Sequence, residues 1–101
     1  MDPKSPYASY TDVDGFTGTT CARTGIWVQN SSSFTDIELT GEYTVTFELI
    51  NKNILSAYPR GKISLEGTIA LFDNYDRFLK AVGLTGKPYI EISDYSGITN
   101  I

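Results

Sequence analysis

Between Tyr43 and Leu71 the chain carries two runs in which apolar residues take every second place: Tyr43, Val45, Phe47 and Leu49, then Ile63, Leu65, Gly67, Ile69 and Leu71. Side chains on a strand point to opposite faces in turn. Each run therefore offers one apolar face and one bearing Glu42, Thr44, Thr46 and Glu48, or Lys62, Ser64, Glu66 and Thr68. The pattern predicts two strands of a half-buried sheet, Glu42 to Ile50 and Lys62 to Leu71, with a connection over 51–61 between them. A β-rich core follows.

Shorter segments extend the sheet. Ile26-Trp27-Val28 is a β-prone run closed by Asn30-Ser31-Ser32-Ser33, and Ile37 and Leu39 alternate with Asp36 and Glu38 before Gly41. Tyr58-Pro59-Arg60-Gly61 has proline second and glycine fourth, as in a type I turn feeding the second run. Tyr75, Phe78, Leu79 and Val82 then recur at the spacing of one helical face, with Asp76, Arg77 and Lys80 on the other, which predicts a helix over about 73–83. Asp73 or Asn74 would cap its start and Gly83 its end. Asp73 with Arg77, and Asp76 with Lys80, are acid-before-base pairs four residues apart. Lys87-Pro88 opens a further strand through Ile90 and Ile92, and Asp94-Tyr95-Ser96-Gly97 turns it into a C-terminal hairpin. The expected fold is α+β and mainly β: a small five- or six-stranded antiparallel barrel or sandwich, one helix preceding the C-terminal hairpin.

A chain of 101 residues has core enough for one domain. We expect an extended arm over 1–24, where Pro3, Pro6, Gly15 and Gly18 interrupt any period, and a β-rich domain over 25–101. The arm's aromatics, Tyr7, Tyr10 and Phe16, exceed what a merely solvated tail carries, so they are expected to lie against a domain or a partner. With a net charge of −4 and eight basic residues scattered from Lys4 to Lys87, no phosphate-binding stripe forms and duplex nucleic acid is not expected as a partner. The single cysteine, Cys21, precludes an intramolecular disulfide. No apolar run approaches the ~20 residues of a membrane helix and the N-terminus lacks a signal-peptide pattern, so a cytoplasmic or virion location is expected, without membrane contact.

The chain has no histidine, which removes the usual general base near neutral pH and the commonest metal ligand. Oxygen-only metal sites remain. Asp12-Val13-Asp14-Gly15 starts like a calcium loop, but its closing position falls on Arg23, and Asp73-Asn74-Tyr75-Asp76 is better read as a helix start. Gly83-Leu84-Thr85-Gly86-Lys87-Pro88 outlines a phosphate loop but runs from helix to strand, with proline where serine or threonine is needed. The acids Glu48, Glu66, Glu91 and Asp94 read as solvated sheet positions, and Cys21 lacks a base. We expect no catalytic residue, metal or cofactor, and no enzyme.

Aromatic and apolar surface is what remains. Trp27, Tyr43, Phe47 and Tyr89 read as core, with a base-stacking platform as the alternative. Ile54, Leu55 and Tyr58 load the 51–61 connection with more apolar surface than a loop needs, either covering an open sheet end or meeting a partner. The C-terminal strand could add to an edge of another chain. The expected function is a non-enzymatic protein-interaction or assembly subunit, with Tyr7, Tyr10, Phe16, Trp27, Ile54, Leu55 and Tyr58 as partner-binding candidates. The partner would be another protein or a second copy. A single-stranded nucleic-acid or oligomer-binding OB-like module is the alternative. In composition alone, the polar, aromatic arm on a Thr-, Ser-, Asn- and Tyr-rich β domain resembles small viral or phage structural and accessory proteins.

Overall fold

The computed structural model describes residues 15–100. Its elements are β1 (Thr17–Thr20), β2 (Trp27–Asn30), a 3-10 turn (Ser32–Phe34), β3 (Ile37–Thr40), β4 (Tyr43–Ile50), β5 (Ile54–Gly61), α1 (Leu65–Ala81), β6 (Ile90–Ser93) and β7 (Gly97–Ile98). Among the described residues this is a small α+β fold, mainly β, with one helix and a mixed seven-stranded sheet that does not close into a barrel. The strand order is β1-β2-β4-β5-β6. On one flank of β4, β2 takes the Leu49–Ile50 end and β3 the Tyr43–Val45 end. On the far flank of β5, β6 and β7 likewise share its length.

The first alternating run forms β4 as its pattern requires. Tyr43, Val45, Phe47 and Leu49 are buried, and the residues between them are half-buried. α1 lies across this buried face. Phe78, fully buried, meets the rings of Phe16, Phe34 and Phe47 at centroid distances of 5.8, 5.0 and 5.3 Å. Losing a ring so placed costs about 3–5 kcal/mol.

The second run is not a strand. Leu65, Gly67, Ile69 and Leu71 belong to α1, which begins eight residues before the expected start at Asp73 and ends at Ala81. Successive helical residues turn by about 100°, so positions two apart fall on opposing sides. Gly67 is buried and Leu71 half-buried, whereas Leu65 and Ile69 are 80% and 58% exposed. An alternating list thus arose from two faces of one helix. Ser64 caps it: its backbone is extended and its Oγ accepts the Gly67 N–H at 3.0 Å. Asp73 and Asn74 lie mid-helix instead of capping. Asn74 Nδ2 donates to the Ala70 carbonyl, and Arg77 donates to Asn74 Oδ1 at 3.0 Å while lying over the Phe34 ring, so Asp73 does not hold it. Lys80 and Asp76 pair at 3.2 Å, and Gly83, at φ 74°, ends the helix as expected.

The 51–61 connection is also corrected: Ile54–Gly61 is β5, paired with β4 from Ile50↔Ile54 to Tyr43↔Gly61. Asn51 and Lys52 make the tight turn, at φ 48° and 76°, the left-handed region that short hairpins require. Pro59 opposes Val45 inside the strand rather than forming a turn. It is tolerated where β6 has ended, at Ala57, and β7 has not begun, at Arg60.

The expected C-terminal hairpin is replaced by two strands that both run parallel to β5, as Ile54↔Ile90 to Ala57↔Ser93 and Arg60↔Gly97 to Gly61↔Ile98. The cause is α1, a crossover that brings the chain back to the end of the sheet where β5 began. The segment is then fastened by the Thr99 N–H on the Gly61 carbonyl and by a two-point bond between the Asn100 amide and the Ile63 backbone.

Candidate functional site

Two apolar surfaces have no role in the core. The first is the outer side of α1. Leu65, Ile69 and Phe72, spaced i, i+4, i+7, form one stripe, 80%, 58% and 65% exposed. Phe72 reaches the rim of a small cleft of about 50 Å³ between the helix and β6, which Tyr95, 48% exposed, also lines. The cleft's floor is tied together. Tyr75 Oη donates to Glu91 Oε1 at 2.6 Å, Ser93 Oγ donates to Glu91 Oε2 at 2.7 Å, and the Tyr89 hydroxyl lies 3.3 Å from Tyr75 Oη. Burial, and then donation to Glu91, push the Tyr75 phenol above its ordinary range. Both Glu91 oxygens are occupied by hydroxyl donors, so this group clasps α1 to β6. Glu66 and Asp73 border the stripe as acids, while Asp76 beside them is paired with Lys80.

The second surface is the sheet face turned away from α1. Val28 opposes Ile50, Ile50 opposes Ile54, and Ile54 opposes Ile90, so these four side chains form one row across β2, β4, β5 and β6. Register places them opposite in direction to the buried Leu49 and Leu55. Ile90 is 55% and Ile92, two residues along, 50% exposed. Further along the same face a hollow of about 370 Å³ is lined by Thr35, Asp36, Thr46, Glu48, Tyr58 and Arg60. Asp36 stands at φ 50°, held by its N–H on Thr46 Oγ1 at 2.9 Å.

The residues singled out from sequence separate. Tyr7 and Tyr10 lie outside the described residues. Phe16 is half-buried against Phe34 and Phe78. Trp27 lies half-buried in β2 with its indole on Gly18 of β1, and its backbone exchanges hydrogen bonds with Asn51. Leu55 is fully buried in the core. Ile54 and Tyr58 fall together on the face away from α1, Ile54 in the apolar row and Tyr58 in the hollow. Leu65, Ile69 and Phe72 were not singled out, because an alternating strand would have buried the first two. Their helical spacing and the Ser64 cap are the signals that identify them.

Other chemistry is sparse among the described residues. No group of three or more Asp, Glu, Cys or His side chains could hold a metal there, and no helix is long and apolar enough to cross a membrane. Cys21 is exposed in the β1–β2 loop, where the Thr24 hydroxyl and neighbouring backbone amides hold its thiol below the ordinary range. Comparison of the chain with protein-family models, curated proteins and solved structures finds no match.

Proposed function

We propose that this chain is a non-enzymatic protein-interaction subunit whose α1 outer face receives an amphipathic helix of a partner protein. One observation carries this reading: three large apolar side chains at helical spacing, Leu65, Ile69 and Phe72, stand in solvent on a helix whose other side already supplies the core. Leaving a contiguous apolar stripe in water costs about 25 cal/mol for each Å² that a partner could have covered. A second helix is the natural occupant, since i, i+4, i+7 ridges pack into the grooves of another helix. The acids Glu66 and Asp73 on its flank favour a partner whose apolar stripe is bordered by lysine or arginine. The Tyr75–Glu91–Ser93 clasp supports this role by fixing the helix to the sheet, so that docking meets a rigid surface.

The test is a fluorescence-anisotropy titration with a labelled model helix carrying leucines at i, i+3, i+4 and i+7 and lysines beside them. Saturable binding is expected, weakened about tenfold or more in an Ile69→Ser, Phe72→Ser double variant whose thermal transition is retained. Equal binding by that variant, or none by the parent chain, refutes the reading. A single-stranded oligonucleotide runs in parallel. Affinity for it that falls steeply with salt would favour the nucleic-acid alternative, carried by Trp27 and Tyr58.

A further inference from the structure

The sheet face opposite α1 carries a pattern independent of the docking reading above. Its apolar row, Val28, Ile50, Ile54 and Ile90, has two members on each side of the β4–β5 boundary. A two-fold axis running along the strands at that boundary, midway between two stacked sheets, therefore superposes the row on its own copy. Ile50 meets Ile54 of the second copy, and Val28 meets Ile90. We propose that two copies of this chain associate sheet on sheet through this face, about that axis.

Three further observations select a second copy as the occupant. The first is charge. Asp36, Glu38, Glu42 and Glu48 lie on the β3–β4 half of the face, and Arg60 and Lys62, with one acid, Asp94, on the β5–β6 half, where Lys62 already pairs with Glu42 at 3.5 Å. The axis lays the acidic half of one copy over the basic half of the other: Lys62 stands opposite Glu42, Arg60 opposite Thr44 and beside Glu38. Glu48 faces Ser56, and the one like-charge opposition, Asp36 over Asp94 of the second copy, lies where an Arg60 stands beside each carboxylate. The second is shape. Tyr58, opposite Thr46 in β4, is carried over Thr46 of the second copy and into its hollow, and each ring enters the other's concavity. The third is area. At strand spacings of about 4.8 Å and a rise of about 3.3 Å per residue, β2 to β6 present about 450 Å² of flat face per copy. The pair covers about 900 Å² before side-chain relief is added, close to the roughly 1,000 Å² that a specific interface needs. The sandwich suggested by the sequence alternation is thus completed between chains, at the usual sheet separation of about 10 Å.

Sedimentation equilibrium on the full chain, from about 10 µM to about 1 mM, tests this. The mass should rise from 11.2 kDa towards twice that value. Ile90→Lys and Val28→Glu should each weaken association about tenfold or more with the far-UV circular dichroism unchanged. Because Ile90 of one copy faces Val28 of the other, an equimolar mixture of the two variants should recover association. The Ile69→Ser, Phe72→Ser variant should dimerise normally, which separates this surface from the α1 stripe. A chain that stays monomeric to about 1 mM overturns the proposal and leaves the face to another occupant. A dimer indifferent to both row variants overturns it as well, and so does a mixture that fails to recover.

Discussion

Gly67→Ala tests the placement of α1 through its sign. At an ordinary helix position the change stabilises by about 0.8–1 kcal/mol, because alanine loses less backbone entropy on folding. Gly67 is not such a position. It is buried at the point where α1 crosses β4, and a Cβ there would come within 3.0 Å of Tyr43 Cε2 and closer still to Cδ2. Carbon atoms rest at about 3.5–4.0 Å, so the ring or the helix must withdraw by several tenths of an ångström or more. Tyr43 is itself fully buried, which leaves the ring little room. Overpacking of this kind costs about 1–3 kcal/mol, and offsetting the propensity gain leaves a net loss of up to about 2 kcal/mol. The assay is urea unfolding followed by circular dichroism at 222 nm. The same substitution in a Tyr43→Ala background should regain its favourable sign, because the obstructing ring is gone. A stabilised Gly67→Ala chain in the parent background would refute the α1–Tyr43 contact.

Two further expectations concern the helix start and the buried phenols. Ser64→Ala should cost about 1 kcal/mol by removing the acceptor for the Gly67 N–H, while Asp73→Ala, mid-helix and exposed, should stay within about 0.5 kcal/mol; the reverse ranking in urea midpoints would move the helix start back to residue 73. Tyr75 and Tyr43 are both pushed above the usual phenol range, mainly by burial, so the folded chain keeps protons that the unfolded chain sheds above about pH 10. Stability should therefore be unaffected by these groups below about pH 10 and fall above it, by up to about 1.4 kcal/mol per pH unit for each tyrosine. Urea midpoints at rising pH measure the slope, Tyr75→Phe should reduce it, and an unchanged slope in that variant would contradict the assignment.

β4 is legible in the sequence because one of its faces is buried and the other is not, so burial is written as alternation. The inward side of α1 is legible from Tyr75 to Val82 for the corresponding reason, at helical period. Its first half is obscured because Leu65 and Ile69 stand outside the core, and apolar residues placed for the surface read as if placed for the interior. β5 is hidden by the opposite circumstance. As a central strand it buries Leu55, Ser56, Ala57 and Pro59 almost in succession, which erases the period, and its hairpin turn uses Asn51 and Lys52 where glycine would have marked it. Of the surfaces, Ile54 and Tyr58 could be picked out as surplus apolar residues. The row that Ile54 helps to form depends on the parallel register of β6, set by the crossover, and no local spacing encodes that.

The placement of β5 has a consequence during synthesis. Its second flank is completed only by residues 90–98, which a ribosome makes well after β5 itself. At about 5–20 residues per second, the stretch from Gly61 to Ile98 takes roughly 2–7 s to emerge. Throughout that interval the nascent hairpin of β4 and β5 exposes an open strand edge to other nascent chains, and Pro59, which has no amide hydrogen to offer, interrupts that edge towards its Gly61 end.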